Sequence, residues 1–232
     1  MKNWHVSLLT IFPEIFPGPL SHSIAGKALE KKLFSLDLFN IRDYALDKHQ
    51  SVDDKIFGGG AGMLMKPDVI SGAIDAALKK TPNAKLIYFS PRGEKFTQKT
   101  AKKLVSHENV IMLCGRYEGV DQRVFKKYDF DEYSIGDYIL SGGEIAALTV
   151  IDSCIRLIPG VIDNEEVNSE ESFSIGENKN LLEYDQYTRP SIWEGMPVPE
   201  VLLSGHHEKI TKWRLENAKE NTQKRRPDLH KK

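Results

Sequence analysis

Short apolar runs alternate with amphipathic segments over the first 160 residues. The runs are rich in Ile, Leu, Val and Phe and predict buried strands at residues 4–11, 38–41, 85–89 and 109–113. Residues 67–80 and 97–107 predict helices, with Pro67 in a first turn and Thr97 as an N-cap. Strands alternating with helices predict an α/β fold, and nearly continuous apolar strands predict a mostly parallel sheet covered on both faces.

The rest of the chain predicts a long helix, a linker and a second small unit. Residues 143–160 are strongly apolar and predict a core helix that Pro159-Gly160 ends. We therefore expect an α/β domain at 1–162, an acidic flexible linker or lid at 163–184, and a small helical basic domain at 185–232. In the last domain the pattern predicts a helix from Ser204 or Gly205 towards Lys224.

Charge is unevenly distributed, although the net charge of the whole chain is only −1. Residues 163–185 hold eight acids against one base, and residues 206–232 hold nine bases against four acids. A basic tail that contains Trp is typical of a nucleic-acid binder, and it is also typical of an ordinary solvated helix. No apolar stretch approaches the roughly 18 residues of a membrane span, so we expect no membrane partner.

Two further features of the sequence indicate a cytoplasmic protein. The N-terminal apolar run lacks a small-residue cleavage site and is soon followed by prolines, which favours a strand over a signal peptide. Cys114 and Cys154 lie far apart in no pairing motif, as expected in a reducing compartment.

Three loops after predicted strands are candidates for binding a ligand. They are SPRG at 90–93, CGRYEGVDQR at 114–123 and SIGDYILSGGE at 134–144. Ligands of open parallel sheets bind at the carboxyl ends of the strands, and glycines let the backbone approach them closely. The flat or apolar side chains of these segments suit a planar ring such as adenine; they are Tyr88, Tyr117, Ile135, Tyr138 and Leu140.

The common nucleotide and zinc motifs are absent. No G-x-G-x-x-G opens a helix after a strand, and FGGGAGM at 57–63 is not followed by the Lys-Ser of a P-loop. There is neither a Cys-x-x-Cys pair nor an H-E-x-x-H, so we expect no structural metal.

Several motifs in this order resemble the bacterial tRNA (guanine-37-N1)-methyltransferase family, TrmD. They are IFPEIF, GGGAGM, SPRG, LCGRYEGVDQR, SIGDYILSGGE, RLIPGV, YTRP and VLLSGHHEKITKWR, and they cover nearly the whole chain. The family is similar to other SPOUT methyltransferases. The resemblance implies a deep trefoil knot, a homodimer and S-adenosylmethionine as methyl donor. The sequence pattern itself gives no sign of a knot, and threaded chains are rare.

The resemblance implies which residues bind the donor. These cofactor-binding residues are Tyr88, Ser90, Pro91, Gly115, Tyr117, Glu118, Gly119, Ile135, Gly136, Asp137, Tyr138, Ile139, Leu140, Gly142 and Gly143. A second interpretation is that Gly142 and Gly143 only start the long helix, with Glu144 in its first turn favoured by the helix dipole. The two interpretations are compatible.

Methylation of guanine N1 needs a base and a cation. N1 carries a proton that must leave, and negative charge then develops towards O6. The resemblance implies Arg156 as the cation, and a salt bridge from Arg156 to Asp152 is the ordinary alternative. The family has an aspartate before Ser-Phe as base, and here Glu171 stands at that place in SEESFS.

Two departures from the family pattern affect the assignment of the base. Glu171 carries one more methylene than aspartate, and Glu170 is an adjacent rival; both also fit a purely solvated acidic linker. The segment IGENKN at 175–180 lengthens this linker where the family often runs more directly to YTRP.

The resemblance also implies the RNA contacts. The tRNA substrate would carry guanine at positions 36 and 37, with the target base turned out of the anticodon loop. Residues 58–62, including Gly59, would border the pocket, and the basic domain would bind tRNA across the dimer. Its candidate contacts are Arg189, Lys209, Lys212, Trp213, Arg214, Arg225 and Arg226. Mg²⁺ is implied as a further cofactor, with no site evident in the sequence.

Two other functions share parts of this pattern. A ribosomal RNA methyltransferase of the same fold should lack both the arginine–carboxylate pair and the YTRP…KWR tail. A non-catalytic RNA-binding protein would have no need of a donor pocket.

Overall fold

The structure is a computed structural model that describes residues 3–162, 171–173 and 180–231. The chain divides into two compact units, Met1–Ile162 and Asp163–Lys232. No helix within the described ranges is both long enough and apolar enough to cross a membrane.

The first unit is built on a five-stranded parallel sheet with a flanking hairpin. Its strands are β1 (Trp4–Thr10), β2 (Phe34–Asn40), β3 (Asp53–Lys55), β4 (Met63–Met65), β5 (Lys85–Lys95), β6 (Asn109–Leu113) and β7 (Phe130–Ser134). The large sheet has the order β2-β1-β6-β5-β7, and all neighbouring pairs are parallel. Strands β3 and β4 form a separate antiparallel hairpin.

Five helices connect and cover these strands. They are α1 (Ser23–Glu30), α2 (Pro67–Lys80), α3 (Gln98–Val105), α4 (Gln122–Lys127) and α5 (Gly143–Ile155). One core cluster includes buried residues of α1, α3 and α5, and a second includes buried residues of α2 and α4. Each cluster also contains strand residues, so the prediction of a mostly parallel sheet with helices on both faces is confirmed.

Sequence signals placed the central elements well. Strand β6 and helix α2 have the predicted bounds, with Pro67 in the first turn of α2. The Thr97 hydroxyl accepts a hydrogen bond from the Thr100 amide (3.3 Å) and so caps α3. The bounds of β6 and α2 and the cap of α3 can therefore be predicted from local sequence features.

Two strands are longer than the apolar runs predicted. Strand β2 starts at Phe34 rather than residue 38, because on this edge strand polar Ser35 and Asp37 interrupt the apolar run. The SPRG segment was expected to be a loop, and it lies inside β5 as a bulge between Phe89 and Glu94.

The long apolar helix is shorter than expected. Helix α5 ends at Ile155, and the backbone tightens into turns in which Leu157 N donates to Cys154 O (2.9 Å). Pro159 has no N–H and disfavours helical geometry in the residue before it, which accounts for the early end. Arg156 is therefore the C-cap of α5 and not an interior helical residue.

The second unit contains a small hairpin and two helices among its described residues. These elements are β8 (Ile192–Trp193), β9 (Met196–Pro197), α6 (Glu200–Leu203) and α7 (His207–Arg225). The expected start of the long helix at Ser204 or Gly205 was wrong, since Gly205 has a φ of +70° and α7 begins at His207.

A fully buried threonine ties helix α7 to the segment before it. Thr222 Oγ1 donates to Ala218 O (2.7 Å) and accepts from Leu182 N (2.8 Å). Leu181, next to the donor, is also buried. The Thr222 hydroxyl therefore accepts a hydrogen bond from the Leu182 amide, which lies outside any helix or strand.

Replacing Thr222 with Val should destabilise the second unit by about 1–3 kcal/mol, because the Leu182 amide then loses its acceptor. Thr211→Val on the exposed face of the same helix is the matched control and should change stability by less than about 0.5 kcal/mol. Urea unfolding followed by tryptophan fluorescence measures the effect, since Trp193 and Trp213 both lie in this unit. Equal effects of the two substitutions would contradict the assigned role.

Candidate active site

A cleft of about 470 Å³ lies at the carboxyl ends of the parallel strands in the first unit. This volume is within the range of pockets that hold drug-sized ligands. Three loop segments line it, after β6, after β7 and along the β5 bulge. The position is where an open parallel sheet places its ligands.

Fourteen of the fifteen residues predicted to bind the donor line this one cleft. They are Tyr88, Ser90, Pro91, Gly115, Tyr117, Glu118, Gly119, Ile135, Gly136, Tyr138, Ile139, Leu140, Gly142 and Gly143. Asp137 belongs to the same segment, is exposed, and does not line the cleft. The predicted set therefore converges in space although it spans 56 positions of sequence.

Close approach at glycines shapes the inner end of the cleft. A Cβ on Gly115 would lie 2.9 Å from the ring and the hydroxyl oxygen of Tyr88, and a Cβ on Gly119 would lie 3.4 Å from the same oxygen. Tyr88 is buried, and this burial is the main reason that its pKa is raised. The ring therefore packs as a neutral wall below the two glycines.

The segment after β7 is held to the segment after β6 through backbone atoms. Gly143 N donates to Gly115 O (2.9 Å), and a Cβ on Gly143 would meet Cys114 Cα at 2.8 Å and Gly115 N at 2.9 Å. Gly142 and Gly143 also form the N-terminus of α5, as the second interpretation stated. The two glycines thus start a helix and permit close contact between two segments of the chain.

Sequence reasoning missed a buried ionic network behind the cleft. Glu144 is 0 % exposed; its carboxylate accepts from Thr10 Oγ1 (2.7 Å) and from Arg116 Nε (2.9 Å). Arg116 itself lines the cleft. The available signal was an acid at the start of an otherwise apolar helix, which needs a partner when buried.

The cleft also contains groups that the prediction did not name. The additional lining side chains with polar or charged ends are Arg92, Arg116, Gln122, Tyr133, Ser134 and Ser141. Cys114, behind the cleft, is fully buried, and burial raises the pKa of its thiol well above its usual value, with Glu144 acting in the same direction. This thiol is therefore protonated and inert near neutral pH.

The predicted catalytic pair lies in different units. Arg156 is half-buried at the end of α5, and the described residues include no ion pair between it and Asp152. Glu171 is half-buried in the short described stretch 171–173, next to Ser172, whose Oγ accepts from Glu183 N (2.9 Å). Glu170 and most of the IGENKN segment lie outside the described residues.

The predicted RNA-binding residues divide into exposed and packed groups. Arg189, Lys212 and Arg225 are exposed, and Lys212 lies 3.9 Å from Glu216 one helical turn away. Lys209 is exposed too, near the start of α7. These four basic side chains are accessible from solvent, where phosphate groups can contact them.

The other members of the set contact their own unit. Trp213 packs on Tyr187 (ring centroids 6.3 Å apart), and the Arg214 guanidinium lies over the Tyr184 ring (4.8 Å). Arg226 forms two hydrogen bonds to Asp228, which raise the pKa of the arginine.

The glycine-rich hairpin tip is joined to the cleft. Gly59 has a φ of +82° and lies between β3 and β4. Beyond this tip, Glu118 N donates to Met63 O (3.0 Å), and a Cβ on Gly62 would lie 2.5 Å from Glu118 Cγ. The tip is therefore next to the loop that lines the cleft.

No group of three or more His, Cys, Asp or Glu side chains with the spacing of a metal site occurs within the described ranges. The parallel sheet and the cleft at its carboxyl edge define an α/β protein whose loops form a cleft of a size suited to a small ligand.

Comparison with known proteins identifies the family. The family described as tRNA (Guanine-1)-methyltransferase TrmD matches residues 4–232. A "tRNA (guanine-N(1)-)-methyltransferase" of Wolbachia pipientis subsp. Culex pipiens (strain wPip) is 56 % identical over 224 residues, which are 97 % of this chain and 96 % of the relative. Relatives of the same description from Rickettsia africae (53 % identical, 99 % of this chain and 98 % of the relative) and Ehrlichia canis (52 %, 97 % and 94 %) agree.

The chain belongs to the TrmD family of tRNA (guanine-1)-methyltransferases and is a methyltransferase enzyme. The family resemblance of the sequence motifs is thereby confirmed.

Gly143→Ala should destabilise the first unit by about 1–3 kcal/mol, because the new methyl group meets backbone atoms that cannot move aside. The favourable helix propensity of alanine offsets at most about 1 kcal/mol of this cost. Thermal unfolding without ligand measures the change, and Ser141→Ala in the same loop, which adds no atoms, is the control. A Gly143→Ala protein as stable as the wild type would contradict the close contact between Gly143 and the backbone at Cys114.

Proposed function

We propose that the enzyme transfers a methyl group from S-adenosylmethionine to N1 of guanine 37 in tRNA that also carries guanine at position 36. The observation that carries this proposal is the convergence of the family's donor-binding motifs on one cleft of about 470 Å³. A planar apolar wall and many backbone groups in that cleft suit an adenosine moiety. The reaction takes place in the cytoplasm, with tRNA as the macromolecular substrate.

The donor supplies an electrophilic methyl group whose sulfonium charge already activates it, so the contribution of the protein is to position the reactants. The fourteen cleft residues hold the adenosine and methionine parts. Among the cations that line the cleft, Arg116 is paired with Glu144, whereas Arg92 has no ion pair within the described residues. Arg92 is therefore the better match to the methionine carboxylate.

Two charged side chains act on the guanine in this proposal. Glu171 accepts the N1 proton and so frees the ring lone pair for methylation. Arg156 donates to O6, where negative charge develops as that proton leaves.

We also propose the deep trefoil knot and a homodimer. The Gly143–Gly115 hydrogen bond and the tight glycine contacts support a crossing of the two segments. Exposed apolar side chains in the cleft lining and next to it support a partner subunit: Tyr138 and Ile139 of the lining are 55 % and 82 % exposed, and the nearby Ile145 is 53 % exposed.

The second unit acts as the RNA-binding domain and contacts tRNA across this dimer. Exposed Arg189, Lys212 and Arg225 bind phosphates, and Gly59 borders the target base. We assign Trp213 and Arg214 the role of holding this surface in shape, since both pack on tyrosines of their own unit. Magnesium is part of the family expectation, and we assign it no ligands.

Methyl transfer from labelled S-adenosylmethionine to unmodified tRNA tests the function directly. A tRNA with guanine at positions 36 and 37 should be labelled at N1 of guanine 37. The same tRNA with adenine at position 37 is the control and should receive no label. Label at a different position, or transfer only to ribosomal RNA, would refute the proposed substrate.

Substitution of the two proposed catalytic residues should slow the chemical step. Glu171→Gln should lower the single-turnover rate about 10²–10⁴-fold, and Arg156→Gln about 10²–10³-fold, with donor affinity unchanged. Glu171→Asp should retain most of the rate, because it restores the residue that the family motif carries. Glu200→Gln, an exposed acid of the same unit as Glu171, is the control.

The single-turnover rate of the Glu171→Gln protein separates a base from a structural residue. A Glu171→Gln protein with an unchanged single-turnover rate would eliminate Glu171 as the base.

A further inference from the structure

The Glu144 carboxylate joins segments from three distant parts of the first unit. Its Oε1 accepts from Thr10 at the end of β1 (2.7 Å), and its Oε2 accepts from Arg116 after β6 (2.9 Å). Thr10 Oγ1 also accepts from Phe12 N (3.0 Å), which fixes the direction of the hydroxyl proton towards Glu144. Both carboxylate oxygens are therefore satisfied without water.

Arg116 extends this network into the wall of the cleft. Its Nη1 donates to Ser141 O (3.2 Å), and its guanidinium lies 4.6 Å from the centre of the Phe12 ring. The backbone amide of Arg116 faces Met65 Sδ (3.3 Å). The side chain therefore has a single well-defined position between two cleft-lining segments.

The Arg116 guanidinium packs directly against Gly142. A Cβ at this position would lie 2.2 Å from Arg116 Nε and 2.5 Å from its Cζ. The φ of Gly142 is 178°, an extended geometry that any residue adopts, so backbone conformation does not require glycine here. The requirement is the space that the guanidinium occupies.

We propose that Glu144 is a positioning residue for the methyl-donor site, which acts by holding Arg116 against Ser141 and Gly142. Glu144 does not line the cleft, so its effect passes through Arg116, which does. The proposal rests on the proposed function, because it assigns the cleft to the donor. It predicts that the two lining segments, 115–119 and 135–142, lose their relative position when the pair is broken.

Energetics favour a positioning role over simple stabilisation. Burying an ion pair carries a large desolvation cost, and proteins with well-packed apolar residues of similar volume at such a site are often equally stable or more so. The pair instead provides direction, since guanidinium hydrogen bonds fix both the carboxylate and the Ser141 carbonyl. Pre-formed pocket walls bind a ligand more tightly because less ordering is left to occur on binding.

Calorimetric binding of S-adenosylmethionine to the full chain tests the proposal, with Glu144→Gln as the first variant. The amide keeps the volume and can still accept from Arg116, and it loses the charge. We expect donor affinity to fall about tenfold or more, with the KM for tRNA unchanged. Asp37→Asn is the matched control, because it breaks the ion pair of a partly buried carboxylate with Lys80 (2.6 Å), and neither residue lines the cleft.

A double-mutant cycle keeps the proposal testable if Glu144→Gln fails to fold. Gly142→Ala should weaken donor binding about tenfold in the wild type, where the methyl group meets Arg116. In an Arg116→Ala background the same substitution should cost less than about twofold, because the collision is gone. Equal costs in both backgrounds would overturn the proposal.

The outcomes also separate this proposal from the proposed function. A wild-type protein that binds no donor overturns the proposed function, and the proposal with it. Normal donor binding by both Glu144→Gln and Gly142→Ala overturns only the positioning role. Equal loss of affinity in Asp37→Asn and Glu144→Gln would show that reduced stability alone weakens binding, and would overturn the positioning role as well.

Discussion

A single buried carboxylate organises the carboxyl edge of the sheet. Glu144 contacts Thr10 and Arg116, which lie 134 and 28 positions away in sequence. A charge that is fully removed from water must be paired and hydrogen-bonded, or the fold would not tolerate it. The carboxylate thereby joins the end of β1, the segment after β6 and the first turn of α5.

Close packing at three glycines is the second constraint on the shape of the cleft. Side chains at Gly142 and Gly143 would strike Arg116 and the backbone at Cys114, and a side chain at Gly115 would strike Tyr88. The glycines of this region therefore serve contact between chain segments as much as contact with a ligand. A cleft built in this way has rigid walls, which suits an enzyme whose main task is to align a donor and an acceptor.

The two units have different physical characters that match the division of labour in the proposed function. The first has two large apolar clusters on either side of a parallel sheet. Among its described residues, the second has few that are fully buried, and it also contains polar contacts such as those of Thr222 and of the Arg214–Tyr184 pair. A domain of this kind presents many charged side chains to solvent, which an RNA-binding surface needs.

The sequence by itself determined the parallel sheet, helix α2, strand β6 and the family, because apolar periodicity and motif order are local properties. It also determined which loops meet in the cleft, since carboxyl ends of parallel strands share one edge. Only the tertiary structure decided the bulge within SPRG and the pairing of Glu144 with Arg116. These depend on contacts between residues far apart in the chain, and such contacts leave no periodic trace in the sequence.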